Sequence, residues 1–462
     1  MSYDSASAVT TERLSTGAKA GYGVADFGLG LAFNLPAFFL LYYLTDVFAI
    51  PAVAAGLILF FSKIWDSFIS PAMGYLSDYT VTRWGRKRPY LLYGALPAAF
   101  SIALVFWSPP IASTGWRILY SAGVFTMFCT CMTVMIVPYG ALTADMTADP
   151  HERSVLSAYR MVFAIAGTLV GAGATRPLVV WLGGGTDAAA EALGFRMVGV
   201  VFGGVMALTV LVSFFSIRER TTGASGPRSL LWKDLGVIIH NRPFIILTLG
   251  VTMFQVALNT MSGVVVYYFK YNLNAEHMIP AAFLCLMASS VVSIPFFLWL
   301  SKTRGKKFSY NLGMAFMGAL SVPIFIYSER SISLTLALFT LVGLGLGTVY
   351  LSPWAMVPDT VEYSEWKTGL RREGILYGFF FFSYKLSVAL PGLLVGTVLK
   401  MVGYVPNSAQ NPAALLGIKS LLTLAPLGFV VIGIIIISRF PIDDAMYRRM
   451  TREIKERANG VP

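Results

Sequence analysis

Long apolar runs separated by short polar turns make up most of the chain. Twelve of them are long enough to cross a bilayer as helices: residues 18–48, 51–78, 89–108, 116–147, 153–183, 195–217, 243–270, 277–301, 307–327, 332–358, 372–402 and 411–439. A crossing needs about 20 mainly apolar residues, and several runs exceed that, which implies tilt or extension past the bilayer. The pattern predicts an all-α membrane protein of twelve transmembrane helices, and the even count puts both termini on one side.

The polar stretches group these runs. The longest connection, 218–241, contains Thr221-Thr222-Gly223-Ala224-Ser225-Gly226-Pro227 and separates six runs from six. The expected organisation is a tail over 1–17, a six-helix bundle over 18–217, a linker over 218–241, a second six-helix bundle over 242–440 and a tail over 441–462, within which Asp443 to Arg457 reads as a short helix. The basic turn after the second run, ending Arg83-Trp84-Gly85-Arg86-Lys87-Arg88, recurs in reduced form after the eighth as Lys302-Thr303-Arg304-Gly305-Lys306-Lys307. Equivalent positions in two halves suggest an internal repeat, and transporters built this way bind substrate between the repeats near the midplane.

Composition supports a membrane protein. Only 13% of residues are charged and 56% are hydrophobic, whereas soluble domains carry about 25% charged residues. The formal charge of +12 is confined to connections on alternate sides of the runs, so it marks topology and not a nucleic-acid face. By the positive-inside rule both termini are expected in the cytoplasm, the chain being a multi-pass protein of the cell (inner) membrane. Cys129, Cys131 and Cys285 lie in apolar runs without histidine neighbours, and His151, His240 and His277 are scattered. No enzyme constellation or metal centre is expected from them. The polar start through Gly17 lacks the apolar core of a removable signal peptide.

The first chemical signal is Asp66, in Lys63-Ile64-Trp65-Asp66-Ser67. It stands about 15 residues into its run, roughly 22 Å along a helix. A carboxylate at that depth costs about 3 kcal/mol on insertion scales, so it should face a bundle interior or a wet cavity and be answered by a cation, a proton or a basic side chain. Lys385, deep in the eleventh run, is the corresponding buried base of the other half.

Further along, the motifs fall into a familiar order. Tyr42-Tyr43-Leu44-Thr45-Asp46-Val47, Ile64-Trp65-Asp66 with Pro71 and Gly74, Arg83-Trp84-Gly85-Arg86, Val137-Pro138-Tyr139, Glu152-Arg153, Tyr159-Arg160, Asp359-Thr360-Val361-Glu362-Tyr363-Ser364-Glu365, Tyr384-Lys385 and Gly403-Tyr404-Val405-Pro406-Asn407 follow one another at characteristic spacings. The chain resembles the major facilitator superfamily, and within it the glycoside-pentoside-hexuronide:cation symporters typified by the melibiose carrier. The resemblance implies the major facilitator fold, and a cation-coupled symporter of a glycoside or small sugar derivative working by alternating access. Asp66 and Thr133 fall on ligands of its cation site, Lys385 on the lysine closing that site, and Arg160 and Tyr350 on sugar-facing positions.

The departures change the expectation. A second aspartate one turn after Asp66 is replaced by Ser70, and two sugar-binding aspartates and an aromatic correspond to Gly30, Ile136 and Gly140. One carboxylate with two hydroxyls is a poorer cage for sodium than two carboxylates. Coupling to H+ at Asp66, to Na+ with weaker affinity, and uncoupled uniport are all compatible with the site. Asn34, Asn259 and Trp354 complete the candidate substrate set, and no cofactor is implied. Asp26, Asp78, Arg86, Arg88, Asp359, Glu362 and Glu365 form a candidate cytoplasmic gate, in which exposed pairs worth under about 1 kcal/mol each would open readily. The piece Pro138-Tyr139-Gly140-Ala141-Leu142-Thr143 is also similar to the sodium-dependent lysophosphatidylcholine transporter, which makes a lysolipid or other amphiphile the alternative substrate. A monomer in the bilayer is expected.

Overall fold

The computed structural model describes residues 14–147, 150–217, 219, 240–349, 352–369 and 373–458. In the first half the helices are α1 (Thr16–Tyr42), α2 (Ala52–Tyr79), α3 (Arg88–Val105), α4 (Thr114–Met146), α5 (Pro150–Gly183) and α6 (Ala188–Ser216). In the second they are α7 (Arg242–Tyr267), α8 (Ile279–Arg304), α9 (Lys306–Tyr327), α10 (Ile332–Leu346), α11 (Ser352–Thr368), α12 (Glu373–Met401), α13 (Pro412–Leu422) and α14 (Leu424–Ser438), followed by α15 (Asp444–Ala458). Among the described residues, eleven helical stretches are long and apolar enough to cross a membrane. The tenth expected span is the exception, arriving as α10 and α11 on either side of Gly347. An added Cβ at Gly347 would lie 2.9 Å from the carbonyl oxygen of Ser290 in α8, so glycine lets the two backbones touch there. The sixth span begins seven residues before its expected start, because the Asp187 side chain accepts the Ala190 N–H and caps the first turn.

The two halves repeat each other in detail. Helix α1 runs on as a π-helical turn, Tyr43–Val47, and α7 does the same over Tyr268–Asn272. Asp46 and Tyr271, 225 residues apart, occupy equivalent places in these turns. Ala49 and Asn274 then both adopt positive φ, at 56° and 49°, and matching bonds of 2.8 Å run from Ile50 N to Leu44 O and from Ala275 N to Phe269 O. At the opposite end, Lys87 Nζ donates to Ala141 O and Lys306 Nζ to Ala355 O.

Helices α2 and α12 run antiparallel across the boundary between the halves, and glycines allow their close approach. A Cβ at Gly56 would lie 2.3 Å from Gly392 O, and one at Gly396 would lie 2.3 Å from Ala52 O. This contact brings the middle of α2 against the middle of α12, where the buried charges meet.

Candidate functional site

Four side chains converge at that crossing. Asp66 is buried in α2, and one turn later Ser70 Oγ turns back to donate to Asp66 O at 3.0 Å. Thr133 reaches in from α4 and donates its hydroxyl to Asp66 Oδ1. Lys385 Nζ arrives from α12, 3.0 Å from Asp66 Oδ1 and 3.1 Å from Thr133 Oγ1, and also donates to Ser70 Oγ. The lysine ammonium thus sits among the oxygens that would hold a coupling cation. Asp66 is the one carboxylate among the described residues that pairs with Lys385.

Lys63 stands one turn before Asp66, toward the end of the bundle away from the termini. Its Nζ lies 5.3 Å from the centroid of the Phe33 ring and 5.6 Å from that of Phe125. Cation–π contacts supply about 0.5–2 kcal/mol, while a lysine at membrane depth costs about 2.5–3.5 kcal/mol on insertion scales. The rings alone do not offset the charge, which fits a side chain facing wet, inter-helical space. Lys63 lines a narrow pocket of about 70 Å³ between the halves, with Phe33, Phe125, Asn259 and Gly263 among its walls. The sequence reading passed over it, although a lysine three residues before a buried aspartate is itself a signal.

The remaining candidates are placed as follows. Asn34 donates to Gly30 O at 2.7 Å and Thr168 Oγ1 at 3.1 Å, tying α1 to α5. Asn259 donates to Gln255 O at 2.8 Å and borders the Lys63 pocket. Arg160 and Asp26, assigned separately to substrate and gate, form one ion pair: Arg160 Nε is 2.7 Å from Asp26 Oδ2, which also accepts the Tyr139 hydroxyl. Trp354 packs against the rings of Phe380, Phe381 and Tyr384. Tyr350 and the side chain of Asp78 lie outside the described residues.

Several contacts of the other gate candidates lie within one half. Glu219 accepts the backbone N–H groups of Arg86, Lys87 and Arg88, and Arg88 Nη2 donates to Phe214 O. Lys306 Nζ is 2.7 Å from Asp359 Oδ1, Glu362 accepts the Tyr447 hydroxyl, and Glu365 is half-buried on α11. A cavity of about 610 Å³ lies beside this second set, lined by Lys306, Lys307, Asp359 and Tyr447. It shares no residue with the Asp66 cluster, so its size does not mark the transport site.

A network that sequence reasoning missed joins the halves at the end away from the termini. Asp46 accepts the hydroxyls of Tyr271, Tyr404 and Thr45, and Asn407 Nδ2 donates to its backbone carbonyl. Lys270 Nζ stands 3.6 Å from Asp46 Oδ1 and donates to the Tyr42 hydroxyl. Arg176 bridges Glu191 of the first half and Glu276 of the second. Burial and the Asp46 charge push the Tyr404 phenol far above its usual range, so it stays protonated and donates. The signal was present in the motifs carrying Asp46 and Tyr404, but their meeting depends on packing across the halves.

Comparisons agree with this architecture. Solved structures of a point mutant of the nucleoside transporter NupG and of a bacterial homolog of the human lysosomal transporter Spinster, inward-facing and unoccupied, superpose with TM-scores of 0.68 and 0.67. They are 13% and 12% identical, covering 92% and 96% of this chain and 99% and 98% of their own. Among curated proteins, the uncharacterized symporter YnaJ of Bacillus subtilis is 31% identical, with 96% of each chain covered. The glucuronide carrier protein homolog of Escherichia coli is 29% identical over 96% of this chain and 97% of its own. The isoprimeverose transporter of Lactiplantibacillus pentosus is 30% identical over 86% and 83%. The family described as MFS/sugar transport protein matches residues 21–444. The chain is therefore a membrane transporter rather than an enzyme, and it belongs to the glycoside-pentoside-hexuronide:cation symporters of the major facilitator superfamily.

Proposed function

We propose that this transporter couples entry of H+ or Na+ at Asp66 to movement of a glycoside or small sugar derivative through the space between its halves. One observation carries the reading: Lys385 of the second half is held by Asp66, Thr133 and Ser70 of the first. Two unit charges 4 Å apart interact with about 4 kcal/mol at an effective dielectric near 20. A cation arriving at Asp66 is therefore repelled by the ammonium unless Lys385 withdraws. Withdrawal removes the polar ties between α2 and α12 and lets the halves rock about the glycine contact. Protonation of Asp66 has the same consequence by cancelling its attraction for Lys385. The coupling ion and the lysine thus hold the two arrangements in alternation.

The substrate class rests on the relatives, whose names include a glucuronide carrier homolog and an isoprimeverose transporter. A Cβ at Gly30 would lie 3.3 Å from Ala164 O, tighter than an ordinary contact, so the aspartate that a melibiose-like sugar site would use is absent there and would need α5 to give way. The binding groups must come from other walls of the cavity. The basic turns and both termini are assigned to the cytoplasm of the cell (inner) membrane by the distribution of Lys and Arg, which places the Asp46 network on the outer side.

The test is uptake into proteoliposomes under an imposed proton or sodium gradient. Asp66→Asn is expected to abolish accumulation while leaving exchange of substrate between the two sides. Accumulation that survives Asp66→Asn would refute coupling at this residue. Ligands are found first by thermal shift with glycosides and lysophospholipids, with and without sodium at two pH values. A ligand at 100 times its Kd stabilises by about 2.7 kcal/mol.

A further inference from the structure

The charges between the halves balance in number but not in place, because Arg176 holds two carboxylates and Lys63 holds none. Arg160 is answered by Asp26, Lys270 by Asp46, Arg176 by Glu191 and Glu276, and Lys385 by Asp66. Among the described residues Lys63 has two aromatic rings and the neutral Cys129 thiol beside it, and no carboxylate within ion-pair distance. The pocket it lines is therefore one positive charge in excess, and a coupling cation at Asp66 raises that excess one helical turn away. A neutral cargo leaves Lys63 unanswered, whereas a cargo with one negative charge pairs with it.

The surroundings of Lys63 fit a substituent of the cargo. The pocket, at about 70 Å³, holds a few waters or one small charged group. The Phe33 and Phe125 rings flank the ammonium and stand where the apolar faces of a sugar could stack, while Asn259 brings an amide from the opposite half. An oxyanion placed on Lys63 would so be touched from both halves, and its binding would draw them together on the side of the Asp46 network.

We propose that Lys63 is a specificity-determining residue that receives a carboxylate or sulfonate carried by the transported sugar. This rests on the glycoside reading above for the sugar and on the charge excess for the anion, and the two are separable by experiment. Purified full-length protein is titrated with methyl β-D-glucuronide and methyl β-D-glucoside, which differ only in a carboxylate against a hydroxymethyl group, and with hexyl phosphate, an anion without a sugar. The wild type is expected to bind the glucuronide about tenfold or more tighter than the glucoside. Lys63→Gln should erase that preference by weakening the glucuronide alone, while Lys63→Arg keeps it.

Equal binding of both sugars by the wild type, or a preference that survives in Lys63→Gln, overturns the role of Lys63 and leaves the glycoside reading standing. Binding of hexyl phosphate that is lost in Lys63→Gln, with both sugars silent, supports the anion site and overturns the sugar. Silence of all three ligands overturns both. Should Lys63→Gln fail to fold, equal binding of the two sugars by the wild type still overturns the role, and Lys63→Met takes the place of Lys63→Gln.

Discussion

Under the proposed coupling, Ser70 sets how well the first half holds a hard cation. Its hydroxyl stands one turn from Asp66 on the same face of α2 and accepts from Lys385. Hard cations prefer charged oxygens, so Ser70→Asp would add a second carboxylate to the set formed by Asp66 and Thr133. Ser70→Asp is expected to strengthen the sodium response in thermal unfolding by about tenfold in midpoint concentration. An unchanged sodium midpoint would show that this oxygen does not belong to the cation site. At this scale the sequence was most readable where a charge interrupts an apolar run, as at Asp66 and Lys385. It was least readable where function depends on partner choice. Asp26 and Arg160, 134 residues apart, looked like members of two sites and are one ion pair. Lys63 was hidden by its neighbour, because Asp66 had already accounted for the break in hydrophobicity.

Helix contacts decide whether these residues can meet at all. The Asp66–Lys385 bond depends on α2 lying against α12, and Gly392 is packed so that an added Cβ would stand 2.8 Å from the Leu59 Cβ. Gly392→Val should push the helices apart and lower thermal stability by about 1–3 kcal/mol, the usual effect of overpacking. Transport should fall further than stability alone explains, since Lys385 would be drawn away from Asp66. A variant with wild-type uptake and an unshifted melting temperature would show that the crossing tolerates more space than the structure implies. The helices themselves were legible because a run of about 20 apolar residues has few other fates. The interruption of the tenth span was not, since glycine reads as apolar in any window and only the facing α8 backbone explains Gly347. The start of the sixth span was misplaced because Asp187, an N-cap, reads from sequence as an ordinary polar loop residue.

At the scale of the whole molecule, the conformation is set by which end is tied shut. Glu276 of the second half meets Arg176 of the first, while Arg176 keeps Glu191 as a partner within its own half. Glu276→Gln therefore cuts a tie between the halves without stranding a buried charge, and the loss is about 1 kcal/mol because Glu276 is partly exposed and the buried Arg176 keeps Glu191. That shift changes a two-state population about fivefold. Gly263 offers a reporter, because it lines the pocket behind the network and nothing lies within 4 Å of a Cβ added there. In a background with Cys129, Cys131 and Cys285 replaced, Gly263→Cys should react slowly with a membrane-impermeant maleimide supplied on the side away from the termini. Adding Glu276→Gln should raise that rate about fivefold, and reactivity from the opposite side should fall, as one population grows at the expense of the other. A rate unchanged by Glu276→Gln would mean that Asp46 with its tyrosines carries the closure alone. In that case Tyr404→Phe, which removes one of the three hydroxyls on Asp46, becomes the variant that opens the end away from the termini.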